Sequence, residues 1–161
     1  SARMPDISDK PVSKEFRAQL APVYQAYFEA GEALTKDDLE GAGKVLDRLV
    51  NPVKKVSAPQ GEQYEAWGTA SKALLKVLEH ARHIEGLPDA HSMFEKVSRH
   101  IITVNRHYGS ATDGEYFLAF CPMAFGNKGA YWLQEQEKIA NPYFGAKMLR
   151  CGEIRESMDA E

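Results

Sequence analysis

The sequence has two cysteines, Cys121 and Cys151, and no Cys-x-x-Cys pair. Two are too few for a disulfide-stapled scaffold, and a chain of 161 residues can bury a core without one. No apolar run approaches the roughly 20 residues that cross a bilayer, so no transmembrane segment is expected. The N-terminus also lacks the apolar stretch of a signal peptide. Charge of neither sign dominates. The formal net charge is -3 with acids and bases intermixed, which argues against a nucleic-acid surface. Glu-x-x-His is absent, which removes the inward motif of a di-iron carboxylate bundle. Cys-x-x-Cys-His for covalent haem and a phosphate-binding glycine loop are absent too. Neither thiol has an evident catalytic histidine beside it, and the expected function is not enzymatic.

What is present is ordinary globular composition, 43% hydrophobic and 27% charged, with helical periodicity over the first 110 residues. Phe16, Leu20, Val23, Tyr24, Tyr27 and Leu34 recur at helical spacing behind Ser13, a suitable N-cap. Thr35 reads as the start of a second helix, with Asp38 as its capping-box partner and Leu39, Ala42, Val45, Leu46, Leu49, Val50 and Val53 as its apolar face. Pro52 falls inside that pattern, where proline shortens or kinks a helix. After Pro59-Gln60-Gly61 a third helix runs from Tyr64 through Trp67, Ala70, Leu74, Val77, Leu78 and Ala81 to Ile84. Gly86-Leu87-Pro88 opens a fourth, carried by Phe94, Val97, Ile101, Val104 and Tyr108. The expected fold is all-α in the main, an antiparallel four-helix bundle over 13–110 with a C-terminal appendage, in a single domain. A flexible N-terminus, 1–12, precedes the bundle, and a tail, 153–161, follows the appendage.

The appendage, 111–152, differs in character. Glu115 to Cys121 is short, aromatic and extended, the stretch from Gly126 to Gly129 is loop, and Asn141-Pro142 starts a short helix over roughly 142–151 that ends at Gly152. Tyr116, Phe117, Phe120, Phe125, Tyr131, Trp132, Tyr143 and Phe144 supply aromatic surface to hold it on the bundle. Cys121 and Met123 share one side of an extended chain, and Met148 and Cys151 share one face of a helix. Thiolate and thioether sulfur together suit Cu(I) or Ag(I), whereas zinc sites do not ordinarily use thioether. The same residues also fit plain packing, or a Cys121–Cys151 disulfide that closes the appendage.

Cys121-Pro122-Met123-Ala124-Phe125, Asn127-Lys128-Gly129-Ala130-Tyr131-Trp132-Leu133, Asn141-Pro142-Tyr143-Phe144-Gly145 and Met148-Leu149-Arg150-Cys151-Gly152 occur in that order. They resemble a bacterial helical family catalogued as a domain of unknown function. It is found alone in exported proteins and fused to periplasmic adaptor subunits of Cus-type heavy-metal efflux systems. Ala33-Leu34-Thr35-Lys36-Asp37-Asp38-Leu39 and the Phe94–Ser98 region resemble its weaker, earlier signatures. The resemblance implies a periplasmic or cell-envelope module that handles copper or silver through Cys121, Met123, Met148 and Cys151. Heavy-metal efflux components or a metallochaperone would be its partners. The family often places histidine before the first cysteine, where this chain has Phe120. An imidazole ligand would therefore have to come from the bundle. His91, near the start of the fourth helix, and His100 are the candidates, and His80, His83 and His107 read as exposed.

Overall fold

A computed structural model describes residues 12–111 and 114–158. The expected flexible N-terminus lies outside them except for Val12, as does the end of the tail. The chain is mainly helical, with α1 Lys14–Thr35, α2 Leu39–Lys55, α3 Glu65–Leu78 and α4 Leu87–Tyr108. A small antiparallel sheet follows, built from β1 Tyr116–Cys121, β2 Ala130–Gln134 and β3 Glu153–Met158 in the order β2-β1-β3. One continuous buried cluster takes in residues of all four helices and all three strands.

The helices form where the apolar spacing places them, and their ends show where side chains intervene. The Ser13 hydroxyl accepts the Phe16 amide at 3.1 Å, as an N-cap should. Thr35, however, does not open α2. It is the last residue of α1, and its hydroxyl donates to the Glu32 carbonyl at 2.6 Å. Asp37, at a left-handed φ of 57°, ends α1. Asp38 then caps α2 by accepting the Gly41 amide at 2.9 Å. Helix α2 continues through Pro52 to Lys55, so that proline does not terminate it. Helix α3 stops at Leu78 rather than Ile84, and a 3-10 turn over Ala81–His83 reverses the chain before Pro88 enters the first turn of α4. Helix α1 packs on α2, α2 on α3, and α3 on α4.

The sheet puts one face on the helices and the other under the segment between β2 and β3. Side chains alternate along a strand. The β1–β2 register therefore groups Leu118, Phe120, Tyr131 and Leu133 on one face, and Ala119, Cys121, Ala130 and Trp132 on the other. Tyr116, on the first face, packs edge-on to Tyr24 and Phe28 of α1, with ring centroids 5.1 and 4.8 Å away. Helix α4 lies against β2. On the second face, Tyr143 sets its ring edge-on to Trp132 at 5.7 Å. Two expectations are corrected here. The stretch after Gly152 is no tail, because Glu153–Met158 forms an edge strand with Arg155 as the extra residue of a bulge opposite Leu118 and Ala119. The region 142–151 is not an α-helix but a run of turns with a 3-10 segment at Gly145–Met148. Asn141 does cap it, accepting the Tyr143 and Phe144 amides at 2.7 and 3.0 Å, but Gly145 takes φ 60° and ends the helical path.

A buried polar junction joins the two parts. Tyr27, completely buried, shares a 2.7 Å hydrogen bond with Ser98 of α4 and accepts the Leu133 amide of β2 at 3.0 Å. Burial pushes its phenol well above the ordinary tyrosine range, so it stays neutral and able to donate. Tyr27→Phe leaves the Leu133 amide and the Ser98 hydroxyl without this partner inside the core. The expected cost is about 2 kcal/mol in urea denaturation, and a loss below about 0.5 kcal/mol would show that the junction does not hold the sheet.

Candidate metal centre

Three of the four sulfur residues come together, though not by the local geometry the sequence suggested. Strand β1 ends at Cys121, and Pro122-Met123 turns away with Met123 at φ -92° and ψ -8°. Met123 and Cys121 therefore do not lie along one extended chain. Both meet Cys151 instead. The two thiol sulfurs are 3.8 Å apart, and Cys151 Sγ is 3.9 Å from Met123 Sδ. Both cysteines are free thiols, so the expected disulfide alternative is not formed in this structure. Met148 is half-buried on the 3-10 segment, and its carbonyl accepts the Cys151 amide at 3.1 Å. Both sulfur contacts are within reach of weak S–H hydrogen bonds, one between the two thiols and one in which Cys151 Sγ donates to Met123 Sδ.

The backbone around the cluster explains why these sulfurs meet. Cys121 lies on the face of β1 turned away from the helices, fully buried, opposite Ala130. The segment between β2 and β3 returns over that face and is tied down at Asn141, which is fully buried. The Asn141 amide donates to Leu149 O at 2.8 Å, and its side-chain Nδ2 donates to Cys151 O at 2.7 Å. Gly152 follows at φ 129°, where a Cβ would stand 2.9 Å from Phe120 O. Only glycine lets the chain pass so close to β1. On the other side, Phe125, Gly126 and Asn127 are all left-handed, which costs about 1–2 kcal/mol for each non-glycine residue. That tight turn leaves Met123 47% and Phe125 39% exposed at the rim.

The sulfur spacing can be compared with a coordination sphere. An ion about 2.3 Å from each sulfur holds tetrahedral ligands about 3.8 Å apart, trigonal ligands about 4.0 Å apart and a linear pair about 4.6 Å apart. The observed 3.8 and 3.9 Å match the first two cases. The same distances are also ordinary contact between two thiols and a thioether. Among the described residues, no three His, Cys, Asp or Glu side chains are grouped to hold an ion. A third sulfur ligand here would be a thioether, which suits a soft cation.

The two histidine candidates separate. His100 is half-buried on α4. It follows Met93 and Lys96 at helical spacing, and these line the cleft toward α3, whereas Glu95, Arg99, Ile102 and Arg106 line the cleft against the sheet. It therefore lies on the side of α4 away from the sulfurs, and burial, then the charge of Arg99, pushes its pKa down. His91 lies near the start of α4, and its Nε2 is buried without a hydrogen-bond partner among the described residues. Burial pushes its pKa down and outweighs the opposing charge of Asp37. Two residues that bond to the segment carrying Cys151, Asn141 to Cys151 O and Asp37 to the Ala146 amide, were not among the site residues expected from the sequence. Asn141 was legible only as a helix cap, and Asp37 only as a cap or solvated acid. The motif context around both was the available signal.

A family model described as "Protein of unknown function (DUF3347)" matches residues 23–113, more than half of the chain, and the chain belongs to that family. The match covers most of α1 and all of α2 to α4, and ends before the sheet and its sulfurs. No curated protein and no solved structure matches the chain.

The Cys151 thiol is pushed up by burial first, then by its hydrogen bond to Cys121 and the charge Cys121 would carry. It is therefore protonated at neutral pH, and its thiolate fraction grows with pH up to that raised pKa. Cys121→Ala removes the two later contributions, so the Cys151 pKa falls while burial keeps it above the ordinary value. Alkylation of Cys151 by iodoacetamide at pH 7.5, followed on its peptide by mass spectrometry, should speed up and its pH midpoint should fall. An unchanged rate and pH midpoint would show that the two thiols do not interact.

Proposed function

We propose, from the motif resemblance and from the sulfur geometry, that the chain is a non-enzymatic module that captures Cu(I) or Ag(I) and passes it on. Cys121 and Cys151 supply thiolates and Met123 a thioether, and Met148 closes on the ion as a fourth ligand once it is bound. The observation that carries this reading is the pair of sulfur separations, 3.8 and 3.9 Å, that share Cys151. With Cu(I), two thiolates and neutral thioethers, the site would hold one net negative charge. The ligands grade outward from buried Cys121 to exposed Met123, so a weak, replaceable ligand faces the solvent from which an ion would arrive.

In this reading the four helices form an antiparallel bundle that serves as a mount, and the sheet carries the ion-binding sulfurs. The motif resemblance to modules of Cus-type adaptors supports a periplasmic or cell-envelope location and heavy-metal efflux components or a metallochaperone as partners. A second reading is a structural or interaction module with a Cys121–Cys151 disulfide. It is favoured by the same 3.8 Å separation, because a shift of under 2 Å would bring the sulfurs to the roughly 2.05 Å of an S–S bond.

Anaerobic titration of the reduced chain with Cu(I) against a competing chelator separates the two. The expected result is one equivalent bound, with binding abolished in the Cys121→Ser, Cys151→Ser double variant. Met123→Leu should weaken binding about tenfold and Met148→Leu less, as a ligand recruited only after binding. Because the Cys151 proton must leave, its release alone should tighten apparent affinity about tenfold from pH 7 to pH 8. A double serine variant that binds as tightly as the parent would remove these sulfurs from the account.

A further inference from the structure

Asp37 lies in the turn between α1 and α2, 109 residues before the segment it touches. Its backbone is left-handed at φ 57°, and its amide donates to Leu34 O at 3.0 Å while the Asp38 amide closes on Ala33 O at 2.9 Å. The helix end thus fixes where this carboxylate projects. Its Oδ2 accepts the Ala146 amide at 3.1 Å. Its Oδ1 lies so close to Gly145 that a Cβ there would stand 1.9 Å away, and Gly145 is itself at φ 60°. Both residues begin the 3-10 segment Gly145–Met148, and the Cys151 amide is bonded to the carbonyl at the end of that segment. Asp37 is also near enough to His91 to act on it electrostatically.

These contacts account for a stretch of sequence that the helical packing leaves unexplained. Helix capping needs Asp38 but places no demand on the side chain of Asp37, since glycine serves better at a left-handed helix end. We infer that Asp37 is a positioning residue for the sulfur site, its carboxylate clamping the Gly145–Ala146 turn so that Cys151 is held over Cys121. The clamp acts at the start of the 145–151 stretch, and Asn141 acts at its end through Cys151 O. As an element that orders metal ligands, Asp37 rests on the soft-metal reading above. As a clamp on Cys151 in the metal-free protein, it does not.

The informative substitution is Asp37→Gly, which removes the carboxylate and relieves the left-handed backbone, so the fold should survive. Asp37→Asn keeps an oxygen acceptor in a residue that tolerates the same backbone, and serves as the rescue. In the reduced, metal-free full chain, Asp37→Gly should raise the rate of Cys151 alkylation by iodoacetamide at least about fivefold, with the thermal midpoint within about 3 °C of the parent. Asp37→Asn should stay within about twofold of the parent rate. In Cu(I) competition, Asp37→Gly should bind about tenfold more weakly and Asp37→Asn like the parent. An alkylation rate in Asp37→Gly equal to that of the parent overturns the positioning role. So does a rise matched by equal loss of thermal stability, which marks Asp37 as generally structural. A parent chain that binds no Cu(I) overturns the metal reading instead, and the alkylation comparison still decides whether Asp37 is a clamp.

Discussion

Asn141 has no contact with solvent, and its hydrogen bonds hold the segment that brings Cys151 to Cys121. Its backbone amide reaches Leu149, its side-chain oxygen accepts two amides just ahead, and its side-chain nitrogen reaches Cys151 O. A buried amide of this kind is costly to leave unpaired, so the loop has one closed arrangement that satisfies it. The loop would otherwise have to satisfy its own polar groups while lying over the apolar face of the sheet. Everything distinctive about the sulfur cluster follows from that closure. Without it, Cys121 would be an inward residue on a strand and Cys151 a residue of a loose connection.

The closure needs a firm surface beneath it, and a three-stranded sheet is a marginal one without packing on its faces. The helices supply that packing. Tyr27 holds β2 to α1 and α4 through Leu133 and Ser98, and Tyr116 packs between the sheet and the rings of Tyr24 and Phe28. Tyr143 then bridges the layers, stacking edge-on to Trp132 and Phe94 and donating to Tyr131 O at 2.6 Å. The helical part is thus more than a carrier, because its tyrosines set the position of the strand that bears Cys121. The aromatic residues of the appendage divide accordingly. Tyr116 and Tyr143 hold it to the helices, while Phe125 and Tyr131 remain partly exposed at its rim.

The four helices were legible because Phe16 to Leu34, Leu39 to Val53, Trp67 to Leu78 and Phe94 to Tyr108 each repeat apolar residues at the helical period. Their ends were less so. Thr35 looks like a cap until Asp37 adopts a left-handed backbone, and no local pattern shows that α3 must stop at Leu78 for the chain to turn. Strand β1 could be read from its aromatic run. Strand β3 could not, since Glu153, Arg155 and Glu156 give an edge strand the composition of a tail. Of the four sulfur residues singled out in the sequence, three come together, and not in the grouping that spacing suggested. Spacing paired Cys121 with Met123 and Met148 with Cys151, whereas the folded chain pairs both Cys121 and Met123 with Cys151. Such contacts depend on the course of a loop, and that course is fixed by Asn141 and Asp37, each of which looks locally like an ordinary cap.

The central proposal is that Cys121 and Met123, whose sulfurs lie 3.8 and 3.9 Å from the Cys151 sulfur, close with it on one soft cation. X-ray absorption at the copper edge of the chain loaded anaerobically with one equivalent of Cu(I) tests it most directly. Three or four sulfur neighbours at about 2.3 Å are the predicted result, with no nitrogen or oxygen in the first shell. A spectrum dominated by nitrogen or oxygen neighbours, or by two sulfurs in a linear arrangement, would contradict it.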